Sequence, residues 1–174
     1  HGIEGSTVTW GRIVNATLKS VVTGTGATTS TYVVGPNGGI AFAAGESTVD
    51  MPKTGTFTYA MANFTRPTFK SEASMIGAVN SSQLTGTFTP TGGTIGGNVA
   101  MTVNSQSYTM TLSGTIFNSG FSMSGSTSGG LCTTSCSSFM NGGFYGSGAS
   151  YAAGAYQITL PATALNGVIV YKKQ

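Results

Sequence analysis

Val99-Ala100-Met101-Thr102-Val103-Asn104-Ser105-Gln106-Ser107-Tyr108-Thr109-Met110-Thr111-Leu112 is the stretch that decides the fold. Val99, Met101 and Val103 alternate with Ala100 and Thr102, and beyond the turn formers Asn104 and Ser105 the residues Tyr108, Met110 and Leu112 alternate with Thr109 and Thr111. Successive side chains of a strand point to opposite faces, so a period of two makes a ribbon with one apolar face. Two such ribbons joined by turn formers read as a β-hairpin.

The same alternation extends outward from this hairpin in both directions. Phe57, Tyr59 and Met61 alternate with Thr56, Thr58 and Ala60; Leu84, Gly86 and Phe88 alternate with Thr85 and Thr87; Ile116 is followed by Phe121 and Met123 against Ser122 and Ser124. Further strands are expected at Thr7 to Val14, Ser30 to Val34, Ser138 to Tyr145, Tyr156 to Leu160 and Gly167 to Lys172. Gly35-Pro36-Asn37-Gly38-Gly39, Met51-Pro52-Lys53-Thr54-Gly55 and Pro90-Thr91-Gly92-Gly93 punctuate them. Ser147 to Ala155 is the one helix candidate, and its glycines limit it to a single turn. The expected fold is all-β, an antiparallel β-barrel of about eight strands, with a β-sandwich as the alternative; closure is favoured because it removes exposed edges. The flexible Gly24-Thr25-Gly26-Ala27-Thr28-Thr29 divides the chain into residues 1–24, an N-terminal arm or first strand, and residues 25–174, the barrel.

Length and composition agree with one folded domain. The 174 residues suffice to bury roughly two-thirds of the unfolded surface. Charged residues make up 6% of the chain, against about 25% in an ordinary soluble domain. Thr, Ser, Gly and Asn replace them, giving a wet surface with little repulsion between copies. Arg12, Lys19, Lys53, Arg66, Lys70, Lys172 and Lys173 are scattered, so the net charge of +3 does not make a nucleic-acid groove. No run of 18 apolar residues occurs, so no transmembrane helix is expected. No basic-plus-apolar signal segment opens the chain, which therefore reads as a mature or excised product.

Cys132 and Cys136 stand in a polar, Gly-flanked segment, and a local disulfide across a loop is the natural reading. Together with the Thr/Ser/Gly bias it points to an exported protein at the outside of a bacterial cell. Metal and cofactor chemistry find no ligand set: a copper site at His1 lacks a second histidine, zinc lacks ligands, and calcium lacks an acidic cluster. A Ser/His/Asp triad cannot be assembled around His1. Of the carboxylates Glu4, Glu46, Asp50 and Glu72, only Glu46 and Asp50 lie close in sequence, on a polar turn that reads as solvated loop. No cofactor and no catalysis are expected. Most aromatics fall at core positions, with Trp10, Tyr32 and Tyr145 left over as stacking candidates.

Val8-Thr9-Trp10-Gly11-Arg12, Tyr32-Val33-Val34-Gly35, Met51 to Tyr59, Gly142 to Ala149, Ala153 to Tyr156 and Gly167-Val168-Ile169-Val170-Tyr171 together resemble the C-terminal β-barrel region of bacterial FecR-domain proteins. That region is similar to the barrels of transferrin-binding-protein-like surface lipoproteins. The resemblance spans most of the chain and implies an eight-stranded barrel outside the inner membrane, serving as a binding or scaffolding module. It carries over no catalytic or binding residue, and the FecR signalling domain would lie upstream of these residues.

Two roles follow. The first is a self-assembling extracellular subunit of a filament or matrix, whose partners are copies of itself. Its N-terminal strand, anchored by Val8, Trp10, Ile13 and Leu18, would complete a neighbour's sheet. The alternative is a monomeric surface barrel that binds a host protein or small ligand. An outer-membrane barrel is disfavoured, since the strands look shorter than the roughly 9–11 residues required and no terminal aromatic follows Lys172-Lys173.

Overall fold

The computed structural model describes residues 2–4, 7–22, 28–34, 39–69 and 77–174. Five strands precede the barrel: β1 (Gly2–Glu4), β2 (Val8–Ile13), β3 (Ala16–Val22), β4 (Thr28–Val34) and β5 (Ile40–Gly45). Then come β6 (Gly55–Phe64), β7 (Thr68–Phe69), β8 (Gly77–Thr89), β9 (Gly92–Val103), β10 (Gln106–Phe117), β11 (Gly120–Gly129), β12 (Cys132–Tyr145), β13 (Tyr151–Thr159) and β14 (Ala164–Lys173). Strands β6 and β8 to β14 form an antiparallel meander, and β14 returns to pair with β6, which closes an eight-stranded barrel. The short β7 adds to β14 beyond the end of β6.

The hairpin read from sequence joins β9 to β10 through Asn104 (φ 50°) and Ser105 (φ 62°), both left-handed. That geometry belongs to the tight turn whose twist matches the strands it connects. Residues Ser147–Ala149 form one 3-10 turn, and β13 begins at Tyr151, so the helix candidate ends where a strand starts. Ala152 turns inward and Ala153 outward, each buried; alanines crowd there because both faces of β13 are covered. The barrel strands run from 9 to 14 residues. They exceed the short strands expected because Ser, Thr and Gly extend them beyond the apolar signal.

The barrel is solid. Phe144 lies at its centre with ring centroids 5.6, 5.3 and 5.5 Å from those of Tyr59, Phe88 and Phe121. Met101, Met110, Met123 and Met140 are fully buried alongside. An eight-stranded barrel has just enough interior for side chains, and rings of this size fit only if other inward positions are small. Gly86, Gly97, Gly114, Gly125, Gly142, Gly154 and Gly167 supply them, one in each strand from β8 to β14, in phase with the buried residues of their strands. A methyl group on Gly154 would lie 2.7 Å from Met140, and one on Gly142 would lie 2.5 Å from the Phe121 ring. Glycines repeated at such positions also let a sheet bend into closure.

Outward positions carry hydroxyls and amides. Thr56 Oγ1 lies 3.0 Å from Thr87 Oγ1, and Asn80 donates to Thr102 Oγ1 at 2.8 Å. A lipid-spanning barrel has the opposite polarity, apolar outside and polar within. The strand-length argument against a membrane barrel therefore fails, while the facing of the side chains supplies a sounder one.

The outer wall is apolar at β13–β14, where Ala153, Val168 and Val170 are buried under Val8. The sheet β1-β2-β5 covers them. β3 and β4 pair separately as a hairpin. β5 escapes the alternation test because Ile40-Ala41-Phe42-Ala43-Ala44 is apolar on both faces. The division expected at residue 24 lies outside the described residues. On either side of it β3 and β4 pair with one another, and barrel strands start only at Gly55.

Candidate functional site

Since the interior is filled by its own side chains, the surfaces open to another molecule lie on the outside. The two ends of the barrel differ. At one end lie the turns 90–91, 118–119 and 146–150 together with the segment 46–54; at the other lie 104–105, 130–131 and 160–163.

The first end is clasped. Thr48 N donates to Phe144 O at 3.1 Å, and Thr48 Oγ1 to Gly146 O at 2.7 Å. Asp50 accepts from Ser147 Oγ at 2.7 Å and from Gly148 N at 2.9 Å. These bonds, the Gly148 amide foremost, hold the Asp50 carboxyl below the usual carboxylate range. Lys173 Nζ donates to Gly148 O at 3.0 Å and sits 3.7 Å over the Phe57 ring. The segment between the two layers is thus tied down at Thr48 and at Asp50.

Val49, fixed between those two anchors, is 95% exposed. Phe117, on the outer wall of the same rim, is 51% exposed. Between Val49, Met51, Pro52 and Lys53 on one side and Pro90, Thr91 and Asn118 on the other runs a groove of about 280 Å³. A rigid rim with protruding apolar groups suits a protein-sized partner, because little side-chain or loop entropy is lost on docking. A second cleft, about 420 Å³, lies between Ile40 and Ala41 of β5 and the wall residues Phe139, Ala155 and Gln157.

Burial raises the phenols of Tyr59, Tyr156 and Tyr171 above the ordinary tyrosine range. None of these groups meets solvent chemistry; Tyr171 OH pairs with Ser82 Oγ at 2.8 Å inside the barrel.

The residues singled out from sequence fall in different places. Cys132 and Cys136 are bridged, with Cα atoms 5.5 Å apart. The bridge lies within the first residues of β12 and not in a free loop, and the β11–β12 ladder shifts register opposite it, between Thr127 and Gly129. Val8 is fully buried against the barrel wall. Trp10 is half-buried beside it, and Ile13 is 38% exposed. Leu18 lies opposite Tyr32 in the β3–β4 hairpin; both side chains, and His1, lie outside the described residues. Of the expected anchors, Val8 and Trp10 thus pack towards the barrel wall and Ile13 lies partly exposed. Tyr145 packs against the same cluster as Trp10. Glu46 is exposed, and Asp50 serves the clasp. Val49 and Phe117 were not singled out by alternation. The signals were an apolar residue inside a polar turn and the adjacent pair Ile116-Phe117, one of which must face outward.

No family model matches the chain, and no curated protein matches it in sequence. Solved structures do match in shape. A surface lipoprotein crystal structure superposes over 97% of this chain and 76% of its own, with a TM-score of 0.57 at 15% identity. A transferrin binding protein B mutant from Haemophilus parasuis Hp5 is covered over 39% of its length by all of this chain, with a TM-score of 0.56 at 16% identity. One from Actinobacillus pleuropneumoniae H49 is covered over 80% by all of this chain, with a TM-score of 0.53 at 16% identity. At these identities the likeness establishes a shared fold, that of transferrin-binding-protein-like and surface-lipoprotein barrels; none of these matches involves a FecR protein.

Proposed function

We propose that this chain is a non-enzymatic binding module displayed on a bacterial cell surface, which holds a host protein on the clasped rim of its barrel. The observation that carries this reading is the pairing of a filled interior with a rigid rim that projects Val49 and Phe117. The barrels it resembles in shape include a surface lipoprotein and proteins named for binding transferrin, which supports a surface location and a protein partner. Self-assembly by strand donation receives less support. β2 is paired on one edge with β1 and on the other with β5, so donating it would break both ladders.

The test uses purified protein immobilised against transferrin and then against fractionated serum proteins, with electron microscopy of the same material. Saturable binding by dispersed monomers, abolished by Val49→Ser combined with Phe117→Ser at unchanged melting temperature, is expected. Regular polymers, or binding indifferent to both substitutions, would overturn the reading.

A further inference from the structure

At the other end of β6, roughly 30 Å from the rim by strand rise, the N-terminal sheet and the barrel enclose a cleft of about 290 Å³. Trp10, Arg12, Phe64, Thr65 and Arg66 line it, and no carboxylate among the described residues does. Arg12 donates from one guanidinium nitrogen to Thr68 Oγ1 at 2.8 Å, and Thr68 Oγ1 donates onward to Arg66 O at 3.0 Å. Thr68 is buried, so this relay fixes the Arg12 head beside the backbone that carries Arg66. The Arg12 stem lies over Gly39, where any side chain would collide with it.

Neither arginine has an ion-pair partner among the described residues, and the Arg66 guanidinium has no hydrogen bond there either. Trp10 Nε1 is buried without an acceptor, although a buried indole N–H ordinarily has one. Two guanidinium forks thus border one cleft with no carboxylate among the described residues to answer them, and Trp10, whose buried indole donor lacks an acceptor among those residues, lines it as well. Guanidinium groups match planar and tetrahedral oxyanions through paired N–H bonds. The volume sits at the lower edge of small-ligand sites, roughly 300–1,000 Å³, and the half-buried Trp10 and Phe64 offer apolar walls.

We propose that this seam is a second binding site, for a single acidic sugar unit whose carboxylate or sulfate lies between Arg12 and Arg66 and whose ring packs on Trp10 and Phe64. Trp10 is the one tryptophan of the chain, so its fluorescence reports on this cleft alone. Titration of the intact protein at constant ionic strength with glucuronate and with glucose 6-sulfate should give a saturable change in that fluorescence. Glucose should give none.

Arg66→Gln should weaken binding roughly tenfold or more, the scale of a lost charged hydrogen bond, while leaving the melting temperature unchanged because Arg66 is exposed. Arg12→Gln should weaken it at least as much; should that variant not fold, Arg66→Gln decides. No saturable response to either acid, an undiminished response in Arg66→Gln, or binding of an Asp-Phe dipeptide as tight as that of the sugar acids would overturn the proposal. None of these outcomes depends on the rim.

Discussion

The barrel and the layer before it bury their apolar residues by different means. Inside the barrel, 27 buried residues among those described form one cluster around Phe144, and every barrel strand contributes to it. Under the N-terminal sheet the buried cluster is Val8, Ala153, Val168 and Val170, of which three belong to the barrel. The barrel carries its own core; the layer borrows a wall. Stability should therefore be unequal across the molecule, with opening events concentrated in β2 and β5.

Four measurements would break or sharpen that contrast. Phe144→Ala removes the ring that touches Tyr59, Phe88 and Phe121 and should cost about 3–5 kcal/mol in denaturant unfolding. A loss below about 1 kcal/mol would mean the cluster does not organise the barrel. Replacing Cys132 and Cys136 by Ser removes a small ring and should lower stability by about 2 kcal/mol, with the far-ultraviolet β signal retained at room temperature. Disappearance of that signal would show that the bridge holds the closed barrel together.

Val8→Ala deletes two buried methyl groups and should cost about 1.6 kcal/mol at ~0.8 kcal/mol each. Hydrogen exchange should accelerate in β2 and β5 and stay unchanged in β9 to β11. Equal acceleration everywhere would make the two layers one cooperative unit. The smallest effect concerns Asp50, whose carboxyl titrates below its ordinary 3.8 in the folded chain. The folded state then binds this proton less readily than the unfolded state, so the contribution is present above the unfolded pKa and is lost as pH falls through the folded one. Melting temperature followed from pH 5 downward should show a small acid-sensitive component that Asp50→Ala lacks.

The barrel was legible because its strands are covered on one face only, which writes alternation directly into Tyr108-Thr109-Met110-Thr111-Leu112. The seven inward glycines were visible as turn formers, yet their role depends on which rings face them, and only register reveals that. The layer was harder to read because Ile40 to Ala44 has no polar phase. One clue was present in Gly167-Val168-Ile169-Val170-Tyr171, apolar at consecutive positions, which a strand wetted on one face would not be. The rim and the seam were not legible at all. Val49 gains its exposure from bonds to Phe144 and Gly146, about a hundred residues away, and Arg12 meets Thr68 only because the sheet is laid across β14.

The closing seam between β14 and β6 sets the order in which this molecule can be completed. Every other ladder of the barrel joins successive barrel strands, so a growing ribbon can zip from one strand to the next with short connections to close. The last strand must instead find one about a hundred residues behind it. Val8 needs Val168 and Val170 of that same strand. Strand β2, which precedes the barrel in the chain, is therefore among the last parts to be buried, and it stays accessible to any chaperone or protease until β14 arrives.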